Sequence, residues 1–65
     1  MKFSGKKLVD IRRKMNISQF ALAQAAKLNQ SLLSKYERGL VKEPPASAIQ
    51  AIAEYLDEDI GAMVK

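Results

Sequence analysis

The chain has 65 residues, a formal net charge of +4 and neither cysteine nor histidine. We expect a single domain over residues 1–65, small enough to bury only about 60% of its unfolded surface. The missing residue types exclude disulfides, zinc sites of Cys/His type and histidine-based acid–base catalysis. No apolar run approaches the roughly 18 residues of a membrane span, and no signal-peptide pattern is present. The sequence therefore predicts a cytoplasmic protein with no membrane partner and no cofactor.

The charge is unevenly distributed along the chain. Residues 1–42 carry ten Lys and Arg against two acids, which gives +8, and residues 43–65 carry one Lys against five acids, which gives −4. A solvated surface of uneven charge is one explanation. The other, which we favour, is a face in the N-terminal half that binds a polyanion.

The first predicted helix covers residues 5–15. Ser4 is suited to cap its N-terminus, and Asn16 to end it in the left-handed conformation. The apolar residues of this segment repeat at i, i+3 and i+7 and predict a buried stripe of Leu8, Ile11 and Met15.

The next two predicted helices are short and closely spaced, over residues 19–26 and 30–38. A turn at residues 27–28 separates them. Residues suited to helix termini flank both helices: Ser18, Asn29 and Gly39. The side chains expected to face the core are Leu22, Ala25, Leu33 and Tyr36.

A fourth helix is predicted to open at Pro44-Pro45, because proline suits the first turn, where its missing N–H is not needed. The apolar face of this helix consists of Ile49, Ile52, Ala53 and Leu56. Asp59 can cap a short fifth helix over residues 60–64. Since no segment has a strand pattern, the predicted class is all-α, a compact domain of five helices.

Two capped helices joined by a short turn form a helix-turn-helix, here at about residues 18–38. The second helix of this unit needs apolar residues on one side only. Its other side carries amide, hydroxyl and ammonium groups: Gln30, Ser31, Ser34 and Lys35. Such groups pair with base edges and phosphates of double-stranded DNA. A plain polar surface is the alternative; the order of the helices and the basic N-terminal half favour DNA.

Two segments carry a fairly specific motif: Ser18-Gln19-x-x-Leu22-Ala23 and Asn29-Gln30-Ser31-x-Leu33-Ser34-Lys35-Tyr36-Glu37-Arg38-Gly39. They resemble the lambda repressor-like, Cro/CI-type helix-turn-helix family. The likeness extends to Arg12 upstream and to Pro44 and Leu56 downstream, so it covers almost the whole chain. It implies a DNA-binding domain, bacterial or phage-encoded, that binds an operator as a two-fold dimer and regulates transcription.

The resemblance also implies roles for individual residues. Gln19 matches a glutamine that bonds a backbone phosphate, and Arg38 and Lys42 match positions that touch the DNA backbone. The positions that read bases in the major groove are occupied by Gln30, Ser31, Ser34 and Lys35.

An ion pair between the first and third helices is a further implication of the resemblance. Arg12 matches its arginine and Glu37 its glutamate, and together they would hold the two helices in place. The alternative for Arg12 is one more phosphate-binding cation. We favour the pair, because a lone Glu37 on a DNA-facing surface would repel phosphate.

The chain departs from the family pattern at four places, one of which is Asp57-Glu58, where the family commonly has Gly-Val after the fourth helix. Lys27 stands where the turn usually has a glycine; a left-handed conformation there costs a non-glycine residue roughly 1–2 kcal/mol. Leu32 could contact a thymine methyl group, which we favour, or fold back onto the core. Phe20 replaces a commonly polar residue and is expected to pack on a neighbouring helix.

Dimerisation is expected because one recognition helix reads too few base pairs to find an operator among competing sites. Three apolar residues lie at helical spacing at the less basic end of the chain and are the expected contact: Ile60, Met63 and Val64. They could instead cap their own core. Because the patch is small, the sequence predicts a weak homodimer that DNA stabilises.

The favoured function is that of a sequence-specific regulator that binds double-stranded DNA, acting as a repressor. The alternative is an antitoxin-like module that binds a partner protein and also represses its own promoter, which requires a second exposed apolar surface. An enzyme is not expected, because the acids are scattered or lie in the surface run Asp57-Glu58-Asp59.

Overall fold

The computed structural model describes residues 3–41 and 43–64. Four α-helices follow one another along the chain: α1 (Gly5–Lys14), α2 (Gln19–Ala25), α3 (Gln30–Glu37) and α4 (Ala46–Leu56). The all-α class is confirmed, but the fifth α-helix is wrong, because Ile60–Met63 form a single 3₁₀ turn. None of the helices described is long and apolar enough to cross a membrane.

Side-chain caps begin the first three helices, as predicted. Ser4 Oγ accepts a bond from Lys7 N at 3.3 Å, and Ser18 Oγ accepts one from Ala21 N at 3.0 Å. Asn29 Oδ1 accepts a bond from Leu32 N at 2.7 Å. These bonds satisfy N–H groups that have no partner within the helix. In α4 the N-cap is Pro45, without a side-chain bond, so the helix starts one residue later than its proline pair suggests.

Every α-helix ends in the same backbone motif. The residue after each last turn is left-handed, with φ between 53° and 76°: Asn16, Lys27, Gly39 and Asp57. Its N–H bonds the carbonyl three residues earlier, and the following N–H bonds the carbonyl five residues earlier. This pair of bonds is the Schellman motif. Only one of the four positions is a glycine; Asn16 and Asp57 are residue types that tolerate the left-handed region, so the strain falls mainly on Lys27.

The buried side chains of all the helices form one core. Those with almost no exposed surface are Leu8, Leu22, Leu33, Ile52, Leu56 and Met63. Ala23 of α2 and Ala26, the residue directly after α2, lie in this core, whereas Ala25 is exposed, which corrects its predicted inward orientation. Leu32 is half-buried and packs against the core, so it takes the second of its two expected orientations.

The N-terminal and C-terminal segments are joined to each other. Phe3 and Val64 form an isolated antiparallel β-bridge, and Ser4 N donates to Met63 O at 2.7 Å. Lys7 Nζ donates to Val64 O at 2.7 Å. Met63 is fully buried, so the expectation that it contacts a second copy is wrong in this fold: its side chain completes its own core.

Gly5 marks a close approach between α1 and α3. A Cβ added to Gly5 would overlap the carbonyl oxygens of Tyr36 and Glu37, and these are backbone atoms that cannot swing away. The N-terminus of α1 therefore lies directly against the end of α3. Only a residue without a side chain permits this contact.

We predict that Gly5→Ala lowers the free energy of unfolding by about 1–3 kcal/mol, because the added methyl group forces the two helices apart. In a domain of this size each kcal/mol shifts the melting temperature by roughly 4–8 °C, which thermal unfolding followed by circular dichroism will detect. Gly61→Ala is the matched control, since a Cβ there meets nothing within 4 Å. Equal melting temperatures for the two variants would contradict the close approach.

Candidate nucleic-acid interface

One face of α3 is polar and accessible. Gln30, Ser34 and Arg38 follow each other at intervals of four residues, and Ser31 and Lys35 form the adjacent row. Four of these side chains are exposed and Ser34 is half-buried. The opposite side of α3 buries Leu33 and Tyr36. The structure thus gathers the four predicted base-reading residues on a single face, with Arg38 at its end.

The end of α3 is held by the Arg12–Glu37 ion pair. Arg12 Nε lies 2.7 Å from Glu37 Oε2, and Arg12 Nη2 donates to Glu37 Oε1 at 3.1 Å. The two side chains are 13% and 5% exposed, respectively. Arg12 Nη1 also donates to Ile17 O at 2.9 Å. A single guanidinium therefore ties α1 to α3 and to the segment that leads into α2.

Two glutamines continue this network to the polar face. Gln19 Nε2 donates to Glu37 Oε1 at 2.9 Å, and Gln30 Nε2 donates to Gln19 Oε1 at 3.2 Å. Each glutamine is the first residue of its helix, directly after the N-cap. A continuous chain of bonds thus connects the half-buried Arg12 to the exposed Gln30.

Within the described structure, each of the two glutamines keeps hydrogen-bonding groups that the network does not use. Gln30 keeps its carbonyl oxygen and one N–H, which is the pair of groups that bonds adenine N6 and N7. Gln19 keeps one N–H, which is suited to a phosphate oxygen. The arrangement can therefore bond a base edge and a backbone oxygen at the same time.

One predicted side chain lies in a position other than the expected one, and another belongs to a residue that the structure does not describe. Phe20 does not pack on a neighbouring helix: its side chain is 55% exposed on α2, next to Gln19, which corrects the expectation. Lys42 lies outside the described residues. Among the residues that are described, no group of three or more acidic side chains could hold a metal ion.

The glutamine chain and the Gly5 contact are features that the sequence-based reasoning missed. A signal for the first exists, since both helices of the motif begin with a glutamine directly after a capping residue. For Gly5, the only signal is a helix-disfavouring residue at the start of α1, and its reason lies in α3, more than thirty positions away.

A family model described as helix-turn-helix matches residues 8–62 of the chain. This range contains all four α-helices except the first three residues of α1. No curated protein sequence matches the chain significantly.

Three solved structures show the same fold. The P22 c2 repressor, crystallised with a synthetic operator, is 23% identical with a TM-score of 0.87, over 100% of this chain and 97% of its own. SinR, a master regulator for biofilm formation crystallised with DNA, is 26% identical with a TM-score of 0.83, over 88% and 90%. The restriction-modification controller C.AhdI from Aeromonas hydrophila is 28% identical with a TM-score of 0.83, over 89% and 86%.

We predict that Glu37→Ala costs about 3–5 kcal/mol of stability, because it leaves the half-buried Arg12 guanidinium without its partner. Urea unfolding compares this variant with wild type, and Glu54→Ala serves as the control, since that carboxylate is exposed on α4. If both variants unfold at the same urea concentration as wild type, the ion pair does not stabilise the domain.

Proposed function

We propose that this chain, which belongs to the lambda repressor-like helix-turn-helix family of DNA-binding regulators, binds operator sites in double-stranded DNA. In the proposed complex, α3 lies in the major groove. The observation that carries this proposal is the polar face of α3, whose side chains are donors and acceptors backed by a rigid core. An α-helix fits the major groove, where each base pair presents a distinct pattern of such groups.

Base recognition is assigned to the side chains along this face: Gln30, Ser31, Ser34 and Lys35. Gln30 is the most selective of them, because its carbonyl oxygen and free N–H match adenine. The serine hydroxyls accept and donate with less discrimination. Lys35 reaches either a base acceptor or a phosphate.

Backbone contacts are assigned to Gln19, the first residue of α2, and to Arg38, the residue directly after α3. Gln19 has one N–H free for a phosphate oxygen, and Arg38 is exposed directly after α3. Such contacts set affinity and orientation and carry little sequence information. They make binding fall with rising salt, because each neutralised phosphate releases counterions.

The proposed regulatory role is repression, through occupation of an operator. Support comes from the P22 c2 repressor, which shares the fold over the whole of this chain. The described residues of this chain also carry the polar face of α3, which binding to DNA accounts for. A promoter–reporter assay with and without the protein decides the sign of regulation.

A weak homodimer is also proposed, with its contact near Leu40. Ile17, Leu28 and Leu40 occupy the same position after their helices; the first two fold onto the core, but Leu40 is 63% exposed. A pocket of about 220 Å³ lies close by in sequence, with lining residues Phe3, Glu43, Pro44, Ala46, Ile49 and Ile60. An exposed apolar side chain and a mostly apolar pocket on the same molecule suit a two-fold contact, in which the Leu40 of each copy inserts into the pocket of the other.

We predict that Gln30→Ala loses discrimination among sites by roughly 1–3 kcal/mol, and Ser34→Ala by less. Sites are first selected from random duplex DNA with wild type, and each variant is then titrated against single-base changes in the selected half-site. An unchanged base preference in Gln30→Ala would overturn the assignment of α3 as the recognition helix.

Arg38→Ala should behave in a different way. We expect it to weaken binding to all sequences by a similar factor and to make the salt dependence shallower by about one unit of slope. Titrations at several salt concentrations, on the selected site and on an unrelated duplex, measure both effects. A loss confined to the selected site would place Arg38 on a base and not on the backbone.

The dimer predicts cooperative binding to two half-sites about 34 Å apart, one turn of duplex. We expect Leu40→Glu to abolish this cooperativity and to leave binding to a single half-site unchanged. Tyr55→Glu, at another exposed apolar residue, is the control with the same change in charge. Cooperativity that survives Leu40→Glu would move the contact elsewhere.

A further inference from the structure

The buried carboxylate of Glu37 faces three donors. Its Oε2 accepts from Arg12 Nε, and its Oε1 accepts from both Arg12 Nη2 and Gln19 Nε2. Paired with a guanidinium, the carboxylate can only accept hydrogen bonds. Any group that reaches Glu37 from α2 must therefore present a donor.

This requirement determines which way the Gln19 amide points. Its NH₂ group must face Glu37, so its carbonyl oxygen faces Gln30, as the structure shows. The reversed amide would place its carbonyl oxygen against the carboxylate, with two acceptors in contact and no proton between them. The orientation of Gln19 is thus set by a neighbour whose side chain is only 5% exposed.

The same argument applies to Gln30, which is bonded to Gln19. Gln30 must offer an N–H to the Gln19 carbonyl oxygen, and so it keeps one N–H and its own carbonyl oxygen. Adenine supplies an acceptor at N7 and a donor at N6, which match these two groups. Guanine supplies acceptors at N7 and O6, so O6 would meet the Gln30 carbonyl oxygen.

We propose that Glu37 is a positioning residue for specificity: through Gln19 it fixes the Gln30 amide in the orientation that accepts adenine and rejects guanine. This inference rests on the proposed function, because it assumes that Gln30 reads a base. It adds that the choice of base is set by a buried residue which touches no DNA. This positioning role differs from the stabilising role of the ion pair. The ion pair depends on the charge of Glu37, whereas the choice of base depends on Glu37 presenting to Gln19 an acceptor and no donor.

Glu37→Gln tests the proposal with almost no change in shape. A glutamine at this position has both a donor and an acceptor, so the Gln19 amide can turn round and donate to the Gln30 carbonyl oxygen. Both N–H groups of Gln30 then become free for N7 and O6 of guanine. The probe is the half-site duplex selected by wild type, with A·T or G·C at the position that Gln30→Ala identifies.

We expect wild type to prefer A·T over G·C at that position by roughly 5- to 150-fold, the range of a good bidentate contact. In Glu37→Gln the ratio should fall to within about threefold. Arg12→Lys is the matched control: it weakens the ion pair and lowers stability, but it keeps the carboxylate, so the ratio should stay as in wild type. Binding is measured at a temperature where circular dichroism shows all three proteins folded.

A measurement without DNA separates this inference from the proposed function. In the free protein, the side-chain amide resonances of Gln30 should differ from those of the exposed Gln50 in wild type and in Arg12→Lys. They should move toward those of Gln50 in Glu37→Gln. The role of Glu37 would be overturned if the Gln30 amide resonances matched those of Gln50 in wild type. It would also be overturned if folded Glu37→Gln kept the wild-type ratio of A·T to G·C affinity. If wild type shows no base preference, the proposed function fails, but the resonances still show whether Glu37 orients the Gln30 amide.

Discussion

The Arg12–Glu37 ion pair connects more of the structure than any other single interaction among the described side chains. Arg12 reaches α3 through two bonds to Glu37 and reaches the segment before α2 through the carbonyl of Ile17. Glu37 in turn bonds Gln19, the first residue of α2. Because both side chains are largely withdrawn from water, loss of one leaves the other without a partner, which is far more costly than loss of a surface pair.

This placement links the stability of the domain to the position of α3. A small domain has few buried contacts with which to hold a helix at a defined angle. Here the close contact at Gly5 brings the N-terminus of α1 against the end of α3, and the ion pair joins the same two helices through their side chains. The polar face of α3 can then consist almost entirely of groups suited to DNA, since its orientation does not depend on them.

Local features could be read from the sequence because their causes are local. Ser4, Ser18 and Asn29 act as caps within three residues of their partners, and Asn16 and Gly39 end their helices as expected. Lys27 takes the left-handed conformation despite its side chain, because the turn between α2 and α3 requires it. The ion pair was predicted from the resemblance to a known family, since nothing in the spacing of Arg12 and Glu37 along the chain shows that they meet.

The sequence by itself determined the four α-helices, the side-chain caps of the first three and the residue types on the α3 face, because periodicity and capping act over a few positions. Periodicity predicted most of the buried apolar residues, and tertiary structure decided the remaining ones. Met63 completes the core, while Phe20 and Leu40 stay exposed, and hydrophobicity does not distinguish them. Tertiary structure also decided the bonds from Glu37 through Gln19 to Gln30, because these residues come together only when three helices pack and their amide orientations depend on one buried carboxylate.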